Sequence, residues 1–281
     1  MDIPDSETTQ AIDLAALRGE YPRKPKREKF DLYEVSADNV YADSLIGLVR
    51  QNNEDCYACC TKKDGHLSML AVADGIGGSD SGELASSICI AALVRAWRAF
   101  TKKYQDTTWE DAQNFLMNAI DTANEIVYRE SLLRNNQMGT TVAVLLFADR
   151  FALIANAGDS RVYRMRDHDL TQLSTDHTLV EEALSRGEIS PNEAEISPLR
   201  HTITRAVGVA EYANAQILVT DHQPGDCYLL CSDGLTTHVD DLEIGREMDI
   251  CYDPEQCVSH LVKAALRGGG HDNITVISVF A

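Results

Sequence analysis

Four aspartates sit at the ends of apolar, strand-like runs, and three of them adjoin glycine. Asp74 closes the run 70–73 and opens Gly75-Ile76-Gly77-Gly78. Asp159 follows Gly158, Asp233 stands between Ser232 and Gly234, and Asp272 precedes Asn273 and the run 274–277. A buried strand fixes a carboxylate on the rim of a sheet, and glycine leaves the backbone open to whatever binds there. A single Asp-Gly pair is an ordinary turn. Four in separate elements that can meet at one sheet end are a tighter constraint, because like charges held close repel and take up protons unless cations lie between them. Oxygen ligands without a cysteine or histidine cluster suit magnesium or manganese. A carboxylate metal site is the expected centre of this chain.

The bulk properties agree with that expectation. A chain of 281 residues forms one large domain or two small ones and buries a substantial core either way. Lys and Arg number 25 against 44 Asp and Glu, a formal charge of −19, so no basic face for nucleic acid is expected. An anionic substrate then depends on local metal or arginine. No apolar run approaches the ~20 residues of a membrane span, and residues 1–20 are acidic without an apolar signal core. A cytoplasmic protein is expected. Among the eight cysteines, Cys56 and Cys59 form a C-x-x-C, but in a strand residues three apart face opposite ways. With no second such pair the thiols read as buried and free, which suits a reducing compartment.

Residues 1–38 lack sustained periodicity and carry a proline-broken basic run between Arg23 and Lys29. They read as a flexible or extended segment, and residues 39–281 as one domain. Strands are expected over 67–73, 140–147, 151–156, 162–166, 170–173, 217–220, 228–231 and 274–280. Helices are expected over 82–103, from Thr108 onward with Asp111 completing a capping box, around 179–186, and over 254–266 behind Asp253 and Pro254. Residues 187–200, with two prolines, read as a mobile loop. Hairpin strands interrupted by helix pairs indicate an α+β fold with helices outside antiparallel sheets.

The motifs also carry a family resemblance. Residues 47–55 with Arg50, Glu54 and Asp55, the loop from Asp74 to Gly78 with Gly82 and Glu83, and Met138-Gly139-Thr140-Thr141 resemble the opening signatures of the metal-dependent PP2C-type (PPM) serine/threonine protein phosphatases. Gly158-Asp159-Ser160-Arg161, Asp176-His177, Cys231-Ser232-Asp233-Gly234 and Asp272-Asn273 continue the series in the same order, over about residues 44–281. The bacterial short form is the most similar subtype. The resemblance implies an antiparallel β-sandwich flanked on both faces by paired helices, a binuclear site in a cleft at one end, and a flap, here 187–200, beside it. It implies that Asp74 bridges two Mn2+ or Mg2+ ions, that the Gly75 carbonyl ligates one, and that Asp233 and Asp272 complete the first ion's ligands. Glu54 and Asp55 would hold metal-bound waters, Asp159 would share a third, weaker ion with Asp233, and Arg50 would grip the substrate phosphate. The implied substrates are phosphorylated proteins, and the implied partner is a cognate serine/threonine kinase.

That chemistry accounts for the residue types. Phosphate-monoester hydrolysis calls for accelerations of up to ~10²¹-fold. Paired metals lower the pKa of water from 15.7 towards roughly 7, and with a bidentate arginine they neutralise the phosphoryl oxygens. One departure is that Ile76 and Ser79-Asp80 stand where family members often carry a histidine that protonates the leaving oxygen. His271 and water are the remaining proton sources. The alternative is a catalytically weak phosphoprotein-binding module of the same fold. A nucleotide cradle over 75–82 lacks the Gly-Lys-Ser/Thr ending it requires. Because the basic segment has no apolar periodicity, deleting residues 1–36 is expected to leave the melting temperature and small-substrate hydrolysis largely unchanged. A large loss of stability on thermal denaturation would show an integral strand or brace instead.

Overall fold

Strand Ile274–Phe280, apolar on both faces of its pleat, lies in the interior of a sheet where both faces are covered. That arrangement recurs across the molecule. A computed structural model describes residues 39–62, 66–77, 80–103, 107–148 and 150–281. The expected N-terminal segment 1–38 and Ser79 lie outside the described residues. The chain opens with β1 (Val40–Leu45), β2 (Asp55–Thr61) and β3 (Leu67–Ile76), then α1 (Asp80–Lys103) and α2 (Trp109–Arg134). Next come β4 (Gly139–Thr140), β5 (Val142–Ala148), β6 (Phe151–Ala157), β7 (Arg161–Arg166) and β8 (Asp169–Gln172). After α3 (Leu179–Ser185) and α4 (Pro191–Glu195) follow β9 (Gln216–Asp221) and β10 (Cys227–Cys231). Helices α5 (Asp233–Thr236), α6 (Asp241–Ile250) and α7 (Pro254–Arg267) precede β11 (Ile274–Phe280).

Two antiparallel sheets face each other. One runs β1-β11-β10-β7-β8, the other β2-β3-β5-β6-β9 with β4 pairing β3. Val72, Leu145, Ile154, Val162, Leu230 and Ile277 fill the space between them. Helices α1 and α2 cover the outer face of the second sheet through Leu93, Trp97, Phe115, Leu116 and Ile120. Helices α5 to α7 cover the outer face of the first through Leu235, Ile244, Val258 and Leu261. The α+β sandwich with helices on both faces is therefore the observed architecture. Thr108 caps α2 with the reciprocal Asp111 box, and Asp253 caps α7 with Pro254 at its first turn, as the sequence indicates.

Several expectations need correction. Residues 187–200 are not all loop: Ser190 and Glu193 form a capping box that starts α4. The expected strand 140–147 is two pieces, because Thr141 turns its hydroxyl to the Asp74 amide and interrupts the ladder. Helices α5 and α6 and strand β1 were not anticipated. The span Ser81–Lys103 of α1 is apolar and long enough to cross a membrane by composition, contrary to the expected lack of any such run. Its buried residues Ala85, Cys89, Leu93 and Trp97 are spent on the core against the second sheet and α2.

Trp97 is fully buried, with Phe115 at 6.2 Å between ring centroids and Phe100 stacked on Phe115 at 4.4 Å. Trp97→Ala should cost about 3–5 kcal/mol of stability in chemical denaturation. Leu132→Ala, on the exposed end of α2, should cost under ~0.5 kcal/mol. Similar losses at both positions would contradict this division of the core.

Candidate metal centre

Antiparallel register sets Asp55 of β2 directly opposite Asp74 of β3 at one rim of the second sheet. Asp159 lies two residues beyond β6 at the same end, after the Gly158 turn. The first sheet contributes Asp233, two residues after β10, and Asp272, two residues before β11. The four aspartates singled out from sequence thus meet at the seam between the sheets, joined by Asp55.

Backbone anchors hold them there. The Asp74 amide donates to Thr141 Oγ1 at 2.9 Å, and its carbonyl accepts from the Thr141 amide at 2.8 Å and Thr140 Oγ1 at 2.9 Å. Asn273 ties three segments together: its Nδ2 donates to the Ile46 and Asn52 carbonyls, and its Oδ1 accepts from the Glu54 amide at 2.8 Å. Two glycines are required by close approach. A Cβ on Gly75 would stand 2.3 Å from the Gly82 carbonyl oxygen and 2.6 Å from that of Glu54. Gly47, at φ +77°, would drive a Cβ to 2.2 Å from the Asp272 carbonyl oxygen.

The carboxylates sit in a strained electrostatic setting. Burial first, then the neighbouring charges of Asp55, Asp233, Asp159 and Asp272, hold the Asp74 carboxyl well above the ordinary range. Burial pushes Asp55 up to about 7, against hydroxyl bonds from Thr275 and Ser232, each 2.7 Å to its Oδ2. Its Oδ1 is buried and has no hydrogen-bond partner. Asp159 rises to about 7 by burial and the charges of Asp233 and Asp176, and Asp233 rises by burial and Asp272. Glu54 is raised by burial, with Arg50 opposing. An orphaned buried oxygen among carboxyls pushed towards protonation is the donor set a hard divalent cation satisfies.

Arg50 stands at the rim, half-exposed, with Nη2 2.7 Å from Asp272 Oδ2. His201, which belongs to none of the motifs, approaches from the segment after α4. Its Nδ1 is 4.0 Å from Asp233 Oδ2 and groups with Asp159 and Asp233. Other motif residues do not join the cluster. Asp176 is gripped by Arg161 through Nε at 3.0 Å and Nη2 at 2.7 Å, and His177 Nδ1 accepts from the Gly158 amide. The ring of His271 lies on that of His238, 5.0 Å between centroids.

Comparison with known proteins bears on the same residues. The sequence profile described as Protein phosphatase 2C matches residues 49–263. A Listeria monocytogenes protein named serine/threonine phosphatase stp is 36% identical over 235 residues, 83% of this chain and 92% of that protein. The Mycobacterium tuberculosis serine/threonine phosphatase PstP/Ppp superposes with a TM-score of 0.76 at 36% identity, covering 86% of this chain and 97% of that one. A structure of the catalytic domain of PstP in complex with two manganese ions gives a TM-score of 0.73 at 34% identity, covering 86% and 96%.

The raised carboxyls have a thermodynamic consequence. Unfolded, Asp55 and Asp159 titrate near 3.8, whereas in the fold they keep their protons up to about 7. Between those values the native state binds more protons, so their contribution is fully present below about 4 and is lost as pH rises through about 7. In chelator, the melting temperature should therefore fall across that window, and Asp55→Asn should reduce the fall by removing one of the two groups that titrate in it. Melting curves whose pH dependence is unchanged by Asp55→Asn would contradict this.

Proposed function

The chain belongs to the protein phosphatase 2C family, and from that premise we propose that its acidic seam hydrolyses phosphoserine and phosphothreonine in proteins. The observation that carries the reading is the convergence of Asp55, Asp74, Asp159, Asp233 and Asp272 on one rim, with the carboxyls of Asp55, Asp74, Asp159 and Asp233 raised by burial and by neighbouring acids. Asp74, with the other four as its charged neighbours, is suited to face two cations at once. The Gly75 carbonyl, Asp233 and Asp272 complete one position, Glu54 and Asp55 orient water beside it, and Asp159 with Asp233 offers a weaker third position. Two Mn2+ or Mg2+ ions, when bound, supply a water of lowered pKa and positive charge against the phosphoryl oxygens.

Arg50 is placed to take the substrate phosphate. It is half-exposed at the rim, and its planar fork, here paired with Asp272, matches phosphate oxygens as well as carboxylate oxygens. No side-chain nucleophile is required. In this reading the leaving oxygen takes its proton from water, and the ring of His271, the other candidate, packs at a tilt against that of His238. The substrate is a protein phosphorylated by a serine/threonine kinase, which makes such a kinase the functional partner. The eight cysteines, none of them in a disulfide, suit a reducing compartment, the cytoplasm.

Manganese-dependent release of phosphate from a phosphothreonine peptide tests the assignment. Asp74→Ala should abolish turnover while circular dichroism shows an intact fold, and near-wild-type turnover at saturating manganese would sink it. Asp159→Ala should retain two tightly bound ions by calorimetry yet lose about a hundredfold or more in phosphopeptide turnover, the scale of one lost electrostatic stabiliser. Loss of the first two ions would contradict its separate role.

A further inference from the structure

We propose that Glu247, Cys251 and His260 form a second metal site, independent of the acidic seam, for a thiophilic divalent cation of the zinc class. It lies at the corner between α6 and α7, on the outer side of the first sheet, and does not rest on the phosphatase reading. Glu247 lies in the last turn of α6 and Cys251 is the residue that ends it, in extended backbone. The turn into α7, capped by Asp253, brings His260 from that helix's second turn over both. Their ligand atoms all lie within 4.8 Å of one another. His260 Nδ1 is 2.9 Å from Glu247 Oε2 and 3.8 Å from Cys251 Sγ.

An ordinary ion pair accounts for only part of this. Nδ1 either donates its hydrogen to the carboxylate or accepts one from the thiol, and it cannot do both at once. A cation between the three atoms satisfies all of them. Oxygen, nitrogen and sulfur ligate zinc at about 2.0–2.3 Å, and tetrahedral separations at those lengths lie within roughly half an ångström of the two spacings from His260 Nδ1. Hard ions such as magnesium and manganese prefer the all-oxygen seam, whereas a thiolate with an imidazole selects softer zinc-like ions. The thiol is buried while Glu247 and His260 are partly exposed. An ion can therefore enter from solvent, and a water completes the fourth position. Binding replaces the sulfur-bound proton by metal and releases it to buffer. Burial, aided by the Glu247 charge and opposed by the neighbouring Cys257 thiol, otherwise keeps Cys251 protonated, its pKa pushed up to about 11.

Cobalt(II) is the probe, because thiolate-to-cobalt charge transfer in the near ultraviolet reports sulfur ligation and an all-oxygen centre gives none. The full-length protein, its seam preloaded with manganese, should develop that band with one equivalent of cobalt and lose it on adding zinc. Cys251→Ser, a nearly isosteric change, should eliminate the band. Outer-shell changes already weaken metal affinity ~10–100-fold, so Glu247→Gln and His260→Ala should each raise the cobalt requirement at least ~10-fold. Manganese-dependent phosphatase activity of Cys251→Ser, measured without cobalt or zinc, should stay at the wild-type level and so show that the variant folds. No charge-transfer band in the wild-type protein would overturn the proposal. So would a band that survives Cys251→Ser, or titrations unchanged by both of the other substitutions.

Discussion

Mutual repulsion among the carboxylates at the seam is the interaction that the arrangement of both sheets must withstand. Asp55 and Asp74 are neighbours in one ladder, while Asp233 and Asp272 are delivered by adjacent strands of the other sheet. Apart from a carboxyl hydrogen bond between Asp74 and Asp233, nothing among those four groups favours their meeting. The fold forces it with neutral hydrogen bonds that do not depend on the state of the acids. Thr141 grips the Asp74 backbone on both sides. Asn273 binds the Glu54 amide and two carbonyls of the segment before β2, and so ties the rim of one sheet to the other. Buried amide bonds of this kind each contribute about 1 kcal/mol net, and leaving one unmade costs more. The rim is therefore held by many small, well-satisfied contacts against a few large repulsions.

The contrast with other acidic groups identifies the seam as a cation site rather than a consequence of a charge of −19. Asp226 is almost fully buried, and burial alone would raise its pKa. Arg166, the Gln223 amide and Tyr228 reverse that and hold it below the ordinary carboxylate range. Asp176 is bonded by the guanidinium of Arg161, which also bonds Tyr163 and reaches Asp241. Where a buried carboxylate serves the scaffold, an arginine has been placed on it. At the seam, among the described residues, Arg50 bonds Asp272 at the rim and Arg161 acts on Asp159 through its charge alone, while the inner groups Asp55 and Asp74 are left to hydroxyls, amides and each other. Carboxylates without a guanidinium beside two that have one are suited to a divalent cation.

Much of this was legible because the signals were local. The capping box at Thr108, Asp253 before Pro254 and the apolar runs of β3, β6 and β11 each state their structure within a few residues. The aspartates were legible because each stood beside glycine or asparagine at the end of such a run. What escaped was set by distant partners. Strand β1 reads as mixed polar sequence and is a strand because all six of its residues pair with β11. Helix α6 contains Gly245 and is largely charged, so only Ile244 and Met248 mark its buried face. His201 has no local signal at all; the segment after α4 carries it to Asp233. The resemblance assigned Asp55 a supporting place, and the register shows why it belongs with the inner group: it faces Asp74 across one ladder position.

The charge distribution also orders events at the seam. A net charge of −19 draws divalent cations and repels an anionic phosphoprotein. On the proposed reading, Arg50 bonded to Asp272 is less available to a phosphate than a free guanidinium. Cations held by Asp272 and Asp233 would weaken the local negative field and leave the fork free to turn outward. Phosphate binding would then follow metal binding, and the contact between a rim arginine and an acid of the cluster would couple the two events without any movement of the sheets.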